Sequence, residues 1–302
     1  MTQTPFRASL ILLATSLIWG TAFVAQKSAM SHIGPYWFVA VRYLIASLVM
    51  LPFMILPHYN RPSSLTDWGS GILFGFLLFC GSQLQQVALL YTSVANAGFI
   101  TGLYVVLVPV FGIFFGIFPS TGVWIGAFFS MIGLYCLSVP DLSALSFASL
   151  NKGDLLILVS TIFWILHVSF LSGPLGKRLS VVRLAGCQFL VCTILGFIAA
   201  FFQESVSFMN IRQAFWPIFY VAVFASCIAY SFQIIGQRYV PAAPSAIILS
   251  LEAVFAAIIA WFVLGESLNA RSITGCAFML CGLLIAQLWP LFRRTDRILK
   301  VK

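Results

Sequence analysis

Glu252 is the residue of this chain whose position most calls for chemistry. It lies near the middle of an apolar stretch, 242–264, with no lysine or arginine within a helical turn. A carboxyl held away from water and from counter-charge is costly, so such a residue is kept for a reason. Three uses fit. It carries a proton, it receives the amine of a bound molecule, or it is a hydrogen-bonded structural carboxyl that fixes a helix bend.

Other polar residues sit in equally apolar surroundings. Arg42 lies about seven residues into the stretch 35–57. Its long stem can reach back to the interface as an anchor, or its head can gate or hold a substrate anion. Gln85 and Gln233, with Gln83, Gln86 and Gln237 nearby, are hard to leave facing hydrocarbon, and Tyr104 and Asn96 join that polar set. His167 is either packed and hydrogen-bonded or a proton relay. Trp19 and Trp164 lie mid-stretch rather than at the ends where an aromatic belt forms, so they read as cavity walls or as packing. Lys27 lies near the end of its stretch and reads as interfacial. Together these residues predict a cavity enclosed by the first, third, fourth, sixth, eighth and ninth apolar segments.

Other chemistries find little support. A membrane-embedded transferase or hydrolase needs clustered acids, histidines or metal ligands. The chain has only seven acidic residues and three histidines, with His32 and His58 far from Glu252. The seven cysteines all lie in apolar runs without ligand spacing, and read as small packing residues. No GxxxxGK[ST] sequence is present, so nucleotide hydrolysis is not expected. The sequence implies no cofactor and no metal, and the reading is a non-enzyme.

The elements that must position these residues follow from composition. Of 302 residues, 61% are hydrophobic and 8% charged, and mean hydropathy is +1.05. Soluble domains carry about 25% charged residues, so the partner of this surface is a lipid bilayer. A span needs roughly 20 apolar residues. Reading from breaker to breaker gives ten: 8–30, 35–57, 68–90, 94–117, 120–140, 153–172, 181–202, 214–236, 242–264 and 271–290. The predicted fold is therefore all-α, an integral membrane protein of ten transmembrane helices. The first run lacks a small-residue cleavage site and is expected to be retained.

An even number of spans puts both termini on one side. That side would carry Arg7, Arg61, Lys177, Arg178, Arg183 and Arg238, plus the basic tail Arg293, Arg294, Arg297, Lys300 and Lys302. The other would carry only Lys27, Lys152, Arg212 and Arg271. Positive charge favours the cytoplasm, so both termini are expected there, in an inner or plasma membrane. The net charge of +9 is thus topological, and no nucleic-acid partner is expected.

The chain also repeats. Leu84-Gln85…Tyr91 aligns with Phe232-Gln233…Tyr239, 148 residues on, Trp19 aligns with Trp164, and Gly126 and Gly133 align with Gly275 and Gly282. Residues 1–142 and 143–292 would each hold five helices, with 293–302 as a basic cytoplasmic tail. Five is odd, so the copies enter the membrane from opposite sides, as in many secondary transporters with a midplane site. The first half has about one extra helical turn between Tyr91 and Pro109, which predicts a longer or broken start to the fourth span near Asn96-Ala-Gly98. The pairs Gly71/Gly75, Gly112/Gly116 and Gly122/Gly126 read as helix-packing sites, with homodimerisation as the other use.

These residues resemble the EamA-type family of the drug/metabolite transporter superfamily. The likeness lies in Leu17-Ile-Trp-Gly-Thr21, Arg42 in Val41-Arg-Tyr43, and Ala95-Asn-Ala-Gly-Phe-Ile-Thr-Gly102 leading to Val108-Pro-Val-Phe111. It continues in Leu249-Ser-Leu-Glu-Ala-Val-Phe255 and Leu264-Gly-Glu266. It implies two inverted five-helix repeats and alternating-access movement of small metabolites, amino acids or drugs, often outward, with H+ as a coupling candidate. Two departures are Ala253, where the family often has proline, and Gly116-Ile117, where a Gly-Glu pair is missing. A channel-like facilitator or membrane scaffold is the alternative. Glu266 is expected to sit at a helix end near Arg271.

Overall fold

A computed structural model of the chain describes residues 3–56, 64–92, 94–138, 151–205, 207–264 and 270–299. Every regular element among them is helical. In order they are α1 (Gln3–Ala29), α2 (Pro35–Ile55), α3 (Leu65–Ala88), α4 (Val94–Gly102), α5 (Tyr104–Ile113), α6 (Thr121–Ser138), α7 (Lys152–Leu171), a 3-10 turn (Leu175–Lys177) and α8 (Val181–Gln203). Then follow α9 (Phe208–Gln213), α10 (Phe215–Tyr220), a π-helical segment (Val221–Ile228), α11 (Ala229–Gln237), α12 (Ala242–Leu249), α13 (Glu252–Leu264) and α14 (Ala270–Leu299). Eight helical segments are long and apolar enough to cross a bilayer, and two shorter apolar ones, Ala97–Ile113 and Thr121–Leu137, stand at the expected fourth and fifth places. The last helix runs unbroken to Leu299, so the backbone of 293–299 is helical.

The helix starts follow local rules. Ser64 with Asp67 and Asn151 with Asp154 form capping boxes at α3 and α7, each satisfying two backbone donors that have no partner inside the helix. The start of α2 is capped from far away in sequence. Pro35 removes one orphan N–H, and the Glu204 carboxylate accepts the next two, from Tyr36 and Trp37, at 3.2 Å each. Trp37 Nε1 donates back to the Glu204 carbonyl at 3.0 Å. The end of α8 thereby fixes the start of α2. A carboxylate at a helix N-terminus is favoured both by hydrogen bonding and by the helix dipole. Glu204→Ala is expected to cost about 1–2 kcal/mol. A thermal melt in detergent checks it, and an unchanged melting temperature would remove the cap from the account.

Packing follows the duplication. α3 lies on α7 while α11 lies on α1, and α4 with α5 lies on α7 while α12 with α13 lies on α1. Even single hydrogen bonds recur: Ser160 Oγ donates to the Gly81 carbonyl at 2.8 Å, and Thr15 Oγ1 to the Ala229 carbonyl at 3.4 Å. A core of Phe38, Tyr43, Phe74, Leu78, Leu184 and Phe189 joins α2, α3 and α8.

To one side, α6 and α14 cross antiparallel at glycines. A Cβ on Gly126 would lie 2.6 Å from the Gly282 carbonyl oxygen, and one on Gly133 2.5 Å from that of Gly275. These glycines therefore serve packing within the chain. Gly71 and Gly75 likewise face Cys187 and Val191 of α8. The Gly112/Gly116 pair does not form a helix-packing stripe. Gly116 lies beyond α5 in a turn at φ 72°, a conformation that glycine adopts without steric cost.

Two helices are interrupted at membrane depth. α4 and α5 part at Leu103, and α12 and α13 part at Ser250–Leu251. At both places i→i+3 bonds replace i→i+4 bonds: Leu103 to Ile100 and Val106 to Leu103, then Leu251 to Ile248 and Ala253 to Ser250. The expected break near Asn96–Gly98 is thus displaced to Leu103, and the second half breaks as well. Irregular backbone at this depth is tolerated where it is covered by protein or lines a cavity.

Candidate functional site

Both interruptions face one cavity. Thr101 and Tyr104 flank the first break, and Leu249 and Glu252 flank the second; all four line the cavity. Breaking the helix turns side chains on both sides of the break toward the same space, which an unbroken helix does only for one stripe. α1 approaches the second break closely because Gly20 has no side chain: a Cβ there would meet the Glu252 carbonyl oxygen at 2.8 Å and Phe255 Cβ at 2.6 Å.

Seven of the nine residues expected at the site meet here: Trp19, Arg42, Gln85, Tyr104, Trp164, Gln233 and Glu252. Glu252 is half-buried, and no hydrogen bond or ion pair to its side chain is found among the described residues. Arg42 is 5% exposed. Its guanidinium donates to Tyr43 OH at 3.0 Å and Gln26 Oε1 at 3.5 Å, and stacks 4.6 Å from the Tyr43 ring centre and 5.5 Å from that of Phe38. It therefore points inward among aromatic and amide groups rather than reaching for the interface.

The two tryptophans differ. Trp19 Nε1 donates to the Ala225 carbonyl at 3.0 Å, inside the π-helical segment, and its ring packs 5.1 Å from Tyr230. The wide π turn displaces backbone carbonyls from regular pairing, and such segments gather at functional sites. Trp164 lies against Gly81, with a ring atom 3.0 Å from where a Cβ would be, and its Nε1 has no protein partner.

The other two expected residues are not on the lining. His167 is buried behind the wall, ringed by Phe74, Trp164 and Tyr230. Its Nε2 lies 2.8 Å from Gln188 Oε1. Gln188 Nε2 donates to the Leu184 carbonyl, which fixes Oε1 as the acceptor and assigns the proton to His167 Nε2. The side chain of Asn96 lies outside the described residues, as does all of Glu266. Arg271 lies 5.3 Å from the Tyr135 ring centre. Gln83 and Gln86 are buried but not on the cavity wall, and Lys27 is exposed.

Phe23, Ser82, Ser226 and Tyr230 line the cavity without having been singled out in the sequence. Helical spacing carried the signal for three of them. Phe23 follows Trp19 by four, Ser82 precedes Gln85 by three, and Tyr230 precedes Gln233 by three.

The cavity is lopsided. Gln26, Arg42 and Gln85 lie toward one membrane face, near the ends of α1 and α3 and the start of α2. The opposite end is closed by an apolar cluster including Leu12, Val105, Ile165, Ile247 and Ile248. A polar latch crosses the same region: Gln237 Nε2 donates to the Val168 carbonyl at 3.0 Å and to Ser172 Oγ at 2.9 Å. Among the described residues no three His, Cys, Asp or Glu side chains gather as metal ligands.

Such a space, walled by aromatics with a few convergent polar groups, suits a small organic molecule. Comparisons with known proteins agree in kind. The model of the EamA-like transporter family matches residues 6–139 and again 151–287. A protein of Archaeoglobus fulgidus named as an uncharacterized transporter is 32% identical, over 93% of this chain and 86% of its own. The Bacillus subtilis uncharacterized transporter YyaM is 26% identical, with 92% of each chain covered. The Escherichia coli uncharacterized inner membrane transporter YedA is 23% identical over 72% of this chain and 70% of its own. A solved crystal structure shares the fold with TM-score 0.79 at 18% identity, covering 96% of this chain and 99% of that one.

Proposed function

The chain belongs to the EamA-like transporter family, whose model matches both of its halves, and we propose that it is a secondary transporter exporting small metabolites, amino acids or drugs by alternating access. It is a multi-pass membrane protein, with eight helices among the described residues long and apolar enough to span the bilayer. In this reading the two shorter apolar segments complete ten spans, arranged as two inverted five-helix repeats with both termini cytoplasmic.

The observation that carries the reading is the cavity between the halves, with a lone carboxyl at a broken helix. The α6–α14 crossing supports the inverted repeat. Exchanging the halves turns the Gly126–Gly282 contact into the Gly275–Gly133 contact, as a two-fold axis through the crossing requires. The lopsided cavity supports alternating access. With cytoplasmic termini, the polar mouth by Gln26 and Gln85 faces outward, and the apolar cluster with the Gln237 latch closes the inner end. Rocking the halves would exchange open and closed ends. Glu252, carrying a proton or meeting the charge of the cargo, would couple binding to that motion.

The test is flux in proteoliposomes holding the purified chain, loaded with a metabolite mixture and followed by mass spectrometry. At least one solute is expected to cross in a saturable manner. Ser226→Trp, which fills the cavity from a position 1% exposed, is expected to abolish that flux. Ion conductance that does not saturate would replace this reading with a channel.

A further inference from the structure

Two donors on the cavity wall lack a complement. Arg42 carries a permanent positive charge, since guanidinium does not lose its proton in proteins. It is nearly buried, and among the described residues the contacts of its head are neutral: the Gln26 amide oxygen, the Tyr43 hydroxyl, and the rings of Tyr43 and Phe38. Its Nε has no protein partner. An unpaired cation in such surroundings is costly to keep and is retained where a counter-charge arrives.

The second donor is the Trp164 indole N–H, also without a protein partner. Its repeat counterpart shows that this is not a property of the position. Trp19 Nε1 is occupied by the Ala225 carbonyl, which the π-helical segment supplies, whereas α3, the corresponding element of the first half, is α-helical from Leu65 to Ala88. The duplication thus left one indole N–H satisfied within the fold and the other buried without a protein partner, on a residue that lines the cavity. Among the described residues Glu252 is the only acid on that wall, and no ion pair joins it to Arg42. Phe23, Ser82, Gln85 and Tyr230, which line the same cavity, carry no negative charge.

We propose that Arg42 and Trp164 form an anion subsite in the cavity, and that the cargo is a small organic molecule bearing a carboxylate. A carboxylate offers two coplanar acceptor oxygens, which match a guanidinium edge and leave lone pairs for an indole N–H. The inference deepens the transport reading and rests on it only for the word cargo; binding is measurable without transport.

The experiment is a thermal-shift titration of the full chain in detergent. The probes are matched pairs of acid and neutral amide: hexanoate and hexanamide, 3-phenylpropionate and 3-phenylpropionamide, glutarate and glutaramide. At least one acid is expected to raise the melting temperature with increasing concentration, with its amide far weaker. Arg42→Lys, which keeps the charge but loses the planar fork, is expected to weaken that acid about tenfold. Trp164→Phe keeps the ring and drops the donor, and is expected to weaken it several-fold. The second variant keeps the test decisive if Arg42 substitutions do not fold. Acids that act no better than their amides, or an acid effect undiminished in both variants, would overturn the subsite. Saturable flux of a neutral or cationic solute alongside that result would leave the transporter standing and remove only its anion pole. Acid binding without any flux would keep the subsite and remove the transporter.

Discussion

Glu252→Gln is expected to lower solute flux by about tenfold to a hundredfold while leaving the protein folded. The substitution preserves size and a hydrogen-bonding end group but cannot take up or release a proton. Loss of one charge-assisted contact is worth about 1.5–3 kcal/mol, which is the source of that range. Because Glu252 flanks the break between α12 and α13 and lines the cavity, the effect should appear in transport rather than in stability. The pH dependence of flux in the wild type should flatten in the variant. Two measurements decide: proteoliposome flux across pH, and a melting curve of the same preparation. Retained flux with a large fall in melting temperature would make Glu252 a structural carboxyl. Retained flux with unchanged pH dependence would end the coupling role.

Gly133→Ala carries the largest expected effect on stability. The added methyl would start 2.5 Å from the Gly275 carbonyl oxygen and 2.6 Å from Met279 Cγ. Backbone cannot move aside as a flexible side chain can, so α6 and α14 must separate. Overpacking of this kind costs about 1–3 kcal/mol, and in a bilayer no hydrophobic drive restores the contact. A fall of roughly 5 °C is expected in a detergent melt. Gly275→Ala should behave alike, since it meets the Gly133 carbonyl at 2.7 Å. Gly69→Ala in α3 is the control. No atom lies within 4 Å of its added carbon, and alanine favours a helix over glycine by about 1 kcal/mol. Its melting temperature should hold or rise. Equal falls at Gly133 and Gly69 would mean that the glycine crossing contributes nothing special.

The two results read different parts of the same design. The glycine crossing joins the C-terminal helices of the two halves and gives them a fixed line of contact. Glu252 and Arg42 occupy the space that remains between the halves on the other side. Glu204 ties α8 to α2 at a membrane face, so the cavity helices are held at an end as well as along their length.

Hydropathy alone placed the apolar segments, because a helix in lipid must hide its backbone within itself and must be long enough to cross. The duplication was legible in Trp19 with Trp164 and in the glycine pairs, since repeated sequence keeps repeated contacts. Most polar residues of the cavity were legible too: lipid excludes groups such as Gln85, Gln233 and Glu252, so residue type pointed to an interior face. What lay beyond the sequence depended on partners distant along the chain. The Glu204 cap joins residues 167 and 168 positions apart, and Gln188 takes His167 behind the cavity wall rather than into it. The breaks at Leu103 and Ser250–Leu251 lie where α4 and α5 pack against α7 and where α12 and α13 pack against α1, contacts between segments far apart along the chain. Trp19 and Trp164 look equivalent in sequence, yet only the tertiary structure gives one a carbonyl and leaves the other free, because the π-helical segment arose in one half alone. Residue type decided which groups must avoid lipid; the packing of one half on the other decided which of them met.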